Sequence, residues 1–295
     1  MKKLQFVIVI LCLALASCST DNEQEPNTDG RQLRRLTIAE VPVTRAVLTD
    51  NTSSLSAVWK EGDKATYFNV TTFRENRMDT GLLTASENSI TSAFTGSVYC
   101  ETGDKVALFY PAQEVPTQGT NRGRFTINLD GQKGTLDDIA EHFHYVYGVA
   151  EVTSVTDNTA SATIDNTKSM LALCKFSFTD GTSVIPVKTL TINYYDNNYC
   201  VTLGYPLSAT LTPTADVDNL VLTYIDQSTW DEQELTITLA SETSSGVYVA
   251  LFPFSPTGYM HFSVTNDSGT YTGTAKATLK AGKYYPVTLN LTKNN

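Results

Sequence analysis

Histidine and cysteine, on which many catalytic and metal sites depend, are scarce in this chain. Its 295 residues include 3 histidines and 5 cysteines. His142 and His144 would share one face of a strand, but a metal site needs a third ligand that no fixed spacing supplies. No hydrolase, zinc-protease, dithiol or phosphate-loop motif occurs. We therefore predict no enzyme, no catalytic residue, no metal and no cofactor, with motif-free glycosidase carboxylates as the alternative.

The cysteines that follow residue 18 are too few for a disulfide scaffold. They are Cys100, Cys174 and Cys200, an odd number that leaves at least one thiol unpaired within the chain. Cys174 shares a strand face with Phe176 and Phe178, which predicts a small buried residue. A Cys174–Cys200 disulfide is the alternative.

Positive charge and long apolar runs are also lacking. The net charge of −10, with 18% charged residues, excludes nucleic acid as an expected partner. After residue 18, no apolar stretch approaches the roughly 20 residues that a membrane-spanning helix needs. Asp216 and Asp218 could ligate calcium in a loop, but the twelve-residue EF-hand pattern is absent.

The first 18 residues, MKKLQFVIVILCLALASC, have the form of a lipoprotein export signal. Lys2 and Lys3 precede a short apolar run, and Leu15–Cys18 matches a lipobox. We predict a signal peptide over 1–17 and lipidation of Cys18 by acyl chains such as palmitate. The alternative is an ordinary signal peptide that contains a cysteine. The acidic stretch 19–30 is read either as a solvated linker or as a surface-export signal.

The remainder of the chain has the pattern of an all-β protein. Short runs of Val, Thr, Tyr and Phe are separated by Gly, Asn, Asp and Pro, and helix signals are scarce. We predict two tandem β-sandwich domains, 46–160 and 161–295, after a lipidated pro-segment, 18–45, that contains the first strand. The boundary is set near Ala160 because the polar run 153–159 precedes it.

Five short segments follow one another along the chain in a recognisable order: Thr44–Ala46, Val58–Asp63, Leu108–Pro111, Met170–Phe178 and Ala281–Tyr285. Together and in this order they resemble the fimbrillin family, the FimA/Mfa-like type V pilins of Gram-negative anaerobes. The resemblance implies transthyretin-like sandwich domains and a structural or adhesive subunit of a surface fimbria.

The resemblance also implies a maturation route. Such pilins reach the outer membrane as lipoproteins, and an arginine-specific protease would cut here after Arg45, so that the mature chain begins at Ala46. The alternative is that Arg45 is an ordinary linker arginine, like Arg34 and Arg35, and Arg35 is the rival cut site. A strand of another pilin subunit would then replace the released strand. Apolar residues of the released strand would be Leu36, Ile38, Val41 and Val43.

The position of the subunit within the fimbria follows from the end of the chain. Lys293–Asn295 closes the sequence soon after the last predicted strand, without the extra residues that stalk subunits of the family donate. Pro286 suits an edge position for that strand. We expect a tip or accessory subunit, with a membrane-anchor subunit as the rival.

A carbohydrate-binding surface lipoprotein is the alternative function. Trp230 lies in the polar run 227–232 and is the candidate contact for a host or bacterial surface glycan or protein. Trp59 lies in the pilin-like segment Val58–Asp63, so we predict a structural role for it.

Overall fold

The computed structural model describes residues 30–42, 47–50, 55–72, 79–196, 201–203, 207–224, 234–253 and 259–294. Nearly all of its regular structure is β, which confirms the predicted fold class. In chain order the first strands are β1 (Gln32–Pro42), β2 (Val47–Asp50), β3 (Leu55–Val58), β4 (Lys64–Asn69), β5 (Thr80–Ala85), β6 (Thr91–Cys100), β7 (Lys105–Tyr110), β8 (Phe125–Asn128), β9 (Val146–Val155) and β10 (Thr159–Ser169). They are followed by β11 (Ala172–Thr179), β12 (Val187–Asp196), β13 (Val201–Leu203), β14 (Ser208–Leu211), β15 (Leu222–Tyr224), β16 (Leu235–Thr243), β17 (Val247–Leu251), β18 (Tyr259–Asn266), β19 (Gly269–Ala275), β20 (Tyr284–Asn290) and β21 (Thr292–Lys293).

The amino-terminal half is a seven-stranded sheet that closes on itself in the order β1-β10-β9-β7-β4-β5-β6. Closure joins the two layers of a sandwich into one continuous sheet, a feature that the strand patterns did not predict. Its interior is apolar and includes Leu36, Ile38, Phe94, Val98, Val106 and Val152. Trp59 is buried in this core, and its ring packs edge-on against the rings of Phe94 and Tyr110, at centroid distances of 5.0 and 5.2 Å. The predicted structural role of Trp59 agrees with this position.

The carboxyl-terminal half is a two-layer sandwich. One layer has the order β17-β11-β20, and the other has the order β13-β12-β18-β19-β21, with β16 also paired to β12. Phe176 and Phe178 on β11 face Phe262 on β18, at ring-centroid distances of 5.1 and 6.3 Å. Alternation of apolar and polar residues along these strands places the aromatic rings between the layers.

The predicted domain boundary near Ala160 is wrong. Ala160 lies inside β10, where it pairs with Val155 of β9 and with Leu36 of β1. The polar run that suggested a linker is the β9–β10 hairpin turn, in which the Thr156 amide donates to the Thr159 carbonyl at 2.8 Å. Polar composition marks a tight turn as readily as a linker, and the chain leaves the first sheet only after Ser169.

A long connection between β7 and β9 ties the two halves together. Its strand β8 pairs with β14 of the carboxyl-terminal half. Phe125 of β8 stacks on Phe109 of β7, with ring centroids 4.2 Å apart, and one apolar core continues from these rings into the sandwich. The same connection contains a short helix, Leu136–Asp138, capped by the Thr135 side chain, and a π-turn, Ile139–Phe143.

We predict that the two halves unfold together because they share this core. Phe125→Ala removes a fully buried ring that contacts Phe68, Phe109 and Tyr147, and it should lower the free energy of unfolding by about 3–5 kcal/mol. Denaturation followed by fluorescence and by circular dichroism should show one shifted transition. Ile90→Ala, at a residue that is 67% exposed, is the control and should change stability by less than about 0.5 kcal/mol. Two separate transitions in the parent protein would contradict a shared core.

Candidate functional site

The first strand occupies a central position in the closed sheet. β1 is antiparallel to β6 on one side and parallel to β10 on the other. Leu36 and Ile38 are fully buried, and Val41 is nearly so. The predicted strand residues Leu36, Ile38 and Val41 therefore form part of the core, while Val43 lies outside the described residues.

A bulge explains how Val41 reaches the interior. Strict alternation from Ile38 would bury Glu40, but the pairing with β6 shifts between Ile38 and Val41. Glu40 takes a positive φ of 51°, which is uncommon for a residue other than glycine. Its side chain is exposed, and Val41 is turned inward in its place.

The neighbours of the two buried side chains in the middle of β1 include several small residues. Leu36 lies between Gly96 of β6 and Ala160 of β10, and Ile38 lies between Phe94 of β6 and Ala162 of β10. A side chain at position 96 would be obstructed, because an added Cβ would lie 2.4 Å from the Leu82 carbonyl oxygen.

An ion pair holds the amino-terminal end of β1. Arg31 makes a bidentate contact with Asp104, with Nε–Oδ2 and Nη2–Oδ1 distances of 2.7 Å. Asp104 is only 2% exposed and also accepts from Asn69 Nδ2 at 2.9 Å and from the Glu101 amide at 3.0 Å. Burial acts to raise the pKa of Asp104, but these hydrogen bonds more than offset that effect and hold it below its usual range.

Arg34 fills the same end of the closed sheet from the inside. It is 6% exposed and lies on the inward face with Leu36. Its Nε donates to the Thr156 carbonyl at 2.7 Å, and its Nη1 contacts the Glu101 carboxylate at 2.9 Å and the Cys100 carbonyl. Arg34, predicted as a linker arginine, is therefore part of the folded core.

The other end of β1 is held by neutral hydrogen bonds. Trp59 Nε1 donates to the Val41 carbonyl at 3.1 Å, and Thr167 Oγ1 donates to the Pro42 carbonyl at 3.2 Å. β1 ends at Pro42, and the described chain resumes at Val47.

The hairpin β2–β3 that follows is anchored to the carboxyl-terminal half instead. Asp50 Oδ2 accepts hydrogen bonds from Lys175 Nζ and Tyr248 Oη, both at 2.7 Å. These two partners lie on neighbouring strands β11 and β17. The short segment 43–46 thus links two elements that are fixed to different parts of the protein.

The residues predicted for lipidation, cleavage and ligand contact lie outside the described residues: they are Cys18, Arg45, Ala46 and Trp230. Their roles in lipidation, cleavage and ligand contact remain predictions. Arg35, the rival cut site, lies in β1 with its side chain exposed, and its backbone is paired with Thr159 and Ser97.

The residues considered in the sequence as metal ligands, among them His142, His144 and Asp216, contact neighbouring protein groups. His144 is buried and shares a 2.7 Å hydrogen bond with Ser169 Oγ, whereas His142 is about half exposed, 3.4 Å from Asp138 Oδ1. Asp216 accepts from the amides of residues 218 and 219, as in an Asx turn. Within the described parts of the chain, no three His, Cys, Asp or Glu side chains are grouped as metal ligands.

The described thiols are free. Cys100 and Cys174 are both buried, and burial raises the pKa of Cys174 to about 12. The predicted burial of Cys174 is confirmed. The alternative of a disulfide at Cys174 is wrong, and Cys200 lies outside the described residues.

A cavity of about 270 Å³ opens on the carboxyl-terminal sandwich. It lies beside β20 and the segment that begins at the end of β19. Its lining is mainly apolar and includes the side chains of Met260, Leu279 and Val287. In the described residues, no helix has the length and apolar character needed to cross a membrane.

Sequence reasoning missed Arg31, Arg34 and Asp104. Arg34, Leu36 and Ile38 have the spacing of one strand face, and this pattern could have placed Arg34 inside. The partner Asp104 lies 73 residues beyond Arg31, so no local signal pointed to the pair.

Comparison with solved structures shows the fold that this chain shares. A candidate cell adhesion protein from Bacteroides ovatus has 15% identity and a TM-score of 0.51, over 90% of this chain and 97% of that one. Another from Bacteroides fragilis has 12% identity and a TM-score of 0.48, over 89% and 97% of the chains. A fimbrial protein from Bacteroides ovatus has 12% identity and a TM-score of 0.41, over 88% and 49%. No family model and no curated protein matches the sequence.

The fold agrees with the resemblance to fimbrillins. The Bacteroides ovatus adhesion candidate matches almost the full length of both chains, so the shared fold includes both halves and not a single domain. At 15% identity this likeness concerns the fold alone.

We predict that acid weakens the end of β1. Because the pKa of Asp104 is lower in the folded chain than the ordinary 3.8, its stabilising contribution is complete above that value and is lost as the pH falls further. Asp104→Asn should cost roughly 3 kcal/mol at pH 7 and should lose less stability on acidification. Urea denaturation between pH 7 and pH 2.5 measures both effects. Asp157→Asn, at an exposed turn residue, is the control, and identical pH profiles for parent and Asp104→Asn would contradict the prediction.

Proposed function

We propose that this chain is a structural and adhesive subunit of a surface fimbria, assembled when a strand of another subunit replaces β1. The observation that carries the proposal is the position of β1: one terminal strand completes a closed sheet and contributes fully buried residues to its core. The fold shared with a candidate adhesion protein supports the same class of function.

Loss of β1 would leave a groove that is both polar and apolar. The facing edges of β6 and β10 would expose unpaired amide and carbonyl groups, and the sites of Leu36, Ile38 and Val41 would open to water. If a replacing strand buries about 400 Å² of apolar surface, the hydrophobic contribution is about 10 kcal/mol before ordering costs. A joint of this kind would be long-lived.

Cleavage at 45–46 would suit this mechanism because of where the chain is anchored on either side. β1 ends at Pro42, and Asp50 fixes β2 to Lys175 and Tyr248 of the other half. A cut after Arg45 would free β1 and leave the mature chain attached at its new terminus. A cut after Arg35 would have to open a paired part of β1.

The proposed route begins with export as an outer-membrane lipoprotein through Cys18 and ends in the fimbria at the cell surface. Its partners are other pilin subunits, with a surface glycan or protein as the target of adhesion. A tip position and a membrane-anchor position differ in whether the lipid-linked segment is removed. The form present in fimbriae distinguishes them: a chain that begins at Ala46 fits the tip, and an uncut chain blocked at Cys18 fits the anchor.

Arg45→Ala should prevent maturation in the native host. We expect the form beginning at Ala46 to disappear from isolated fimbriae and a longer cell-associated form to accumulate, because the protease would lack its arginine. Amino-terminal sequencing of both fractions provides the measurement. Arg35→Ala is the matched control and should mature normally. Maturation that is lost in Arg35→Ala and retained in Arg45→Ala would place the cut at the rival site.

A disulfide between β1 and β6 should block assembly without altering the groove. Thr37 and Thr95 are directly opposite on the two antiparallel strands, at positions that do not belong to the buried core. The double variant Thr37→Cys/Thr95→Cys, once oxidised and cleaved, should retain β1 and fail to join other subunits. Reduction should restore joining, as scored by SDS-stable oligomers. The single variant Thr37→Cys is the control, and assembly by the oxidised double variant would refute strand replacement.

A further inference from the structure

Two arginines leave the protein whenever β1 leaves it. Arg31 and Arg34 both precede the two candidate cut sites, Arg45 and Arg35. They bind neighbouring acceptors at one end of the closed sheet: Arg31 binds the Asp104 carboxylate, and Arg34 binds the Glu101 carboxylate and the carbonyls of residues 100 and 156. The Glu101 amide donates to Asp104 and so links the two sets of acceptors. For clarity we call these acceptors together the guanidinium pocket.

The guanidinium pocket is poorly suited to be covered by a strand that lacks cations. In the intact chain Asp104 is 2% exposed, and loss of β1 would remove its two charge-assisted bonds from Arg31 while leaving those from Asn69 and the Glu101 amide. Glu101 would also lose its ion pair with Arg34. Water can hydrate these carboxylates while the groove is open, but a replacing strand that buried them again without a counter-charge would remove that hydration and be strongly disfavoured.

We propose that the guanidinium pocket selects the strand that replaces β1, and that the partner subunit supplies an arginine to it. The inference rests on the proposed strand replacement and names the chemistry of the partner: an extended segment with a guanidinium beyond one end of its buried apolar residues. In β1 itself, Arg34 precedes Leu36 by two residues on the same face, and Arg31 precedes Leu36 by five.

The geometry favours arginine over lysine. Arg31 uses two nitrogens to meet both oxygens of Asp104 in a parallel pair of bonds, an arrangement that an ammonium group cannot reproduce. Arg34 reaches Thr156, Cys100 and Glu101 at once, from Nε and Nη1. A strand of matching apolar pattern that lacked these cations would fill the core and leave the carboxylates uncompensated.

Peptide exchange into the full chain tests the selection. Residues 43–46 are replaced by the recognition sequence of a specific protease, the chain is cut in place, and the bound β1 segment is displaced by fluorescent peptides spanning residues 30–43. The peptides carry the native sequence, Arg31→Gln with Arg34→Gln, or Arg35→Gln. The last is the matched control, because it removes a cation from the exposed face of β1.

We expect the doubly substituted peptide to bind at least about tenfold more weakly than the native one, and the Arg35→Gln peptide to bind within about twofold of it. Glu101→Gln in the receiving chain should reduce the preference, and Asp104→Asn should reduce it further. The side chain of Glu101 is 42% exposed, so Glu101→Gln remains informative if Asp104→Asn fails to fold.

The outcomes separate the two proposals. Equal binding of all three peptides would overturn selection by the guanidinium pocket and leave strand replacement intact. Failure of every peptide to exchange, with the cut segment still bound after mild denaturation and refolding, would overturn strand replacement itself. A preference that persists unchanged in both receiving-chain variants would show that the carboxylates are not its source.

Discussion

In a closed sheet every strand is hydrogen-bonded on both sides, and the amino-terminal half of this protein depends on that constraint at β1. This strand joins β6 to β10 and completes the circuit. Its side chains at Leu36 and Ile38 belong to the core that all seven strands enclose. Backbone pairing and apolar burial therefore fail together if β1 is absent, so the sheet needs either this strand or an equivalent one.

The two ends of β1 are held by different kinds of interaction. Arg31 and Arg34 place two positive charges against buried carboxylate and carbonyl oxygens at one end. The other end has neutral hydrogen bonds to Trp59 and Thr167. The neutral bonds involve only the backbone of β1, whereas the charged end involves two of its side chains. Under our proposal, the arginine end therefore distinguishes between strands that have the same apolar pattern.

Contacts outside β1 hold the two halves of the protein together. Phe125 stacks on Phe109 and continues the core into the carboxyl-terminal sandwich, and Asp50 anchors the hairpin β2–β3 to the same sandwich. A mature chain cut before Val47 would keep these contacts.

Local patterns in the sequence determined the all-β fold, the strand predicted over Leu36–Val43, which the structure describes as far as Pro42, and the buried Cys174, because alternation and turn residues act over a few neighbours. The structural role of Trp59 was predicted from the family resemblance. Other features depended on partners distant in the chain. The pairing of β1 with β10 that closes the sheet, the pairing of β8 with β14 and the Arg31–Asp104 contact join residues about 70 or more positions apart. The polar run 153–159 illustrates the limit: its composition fits a linker and a hairpin turn equally, and only the pairing of Ala160 with Leu36 and Val155 distinguished them.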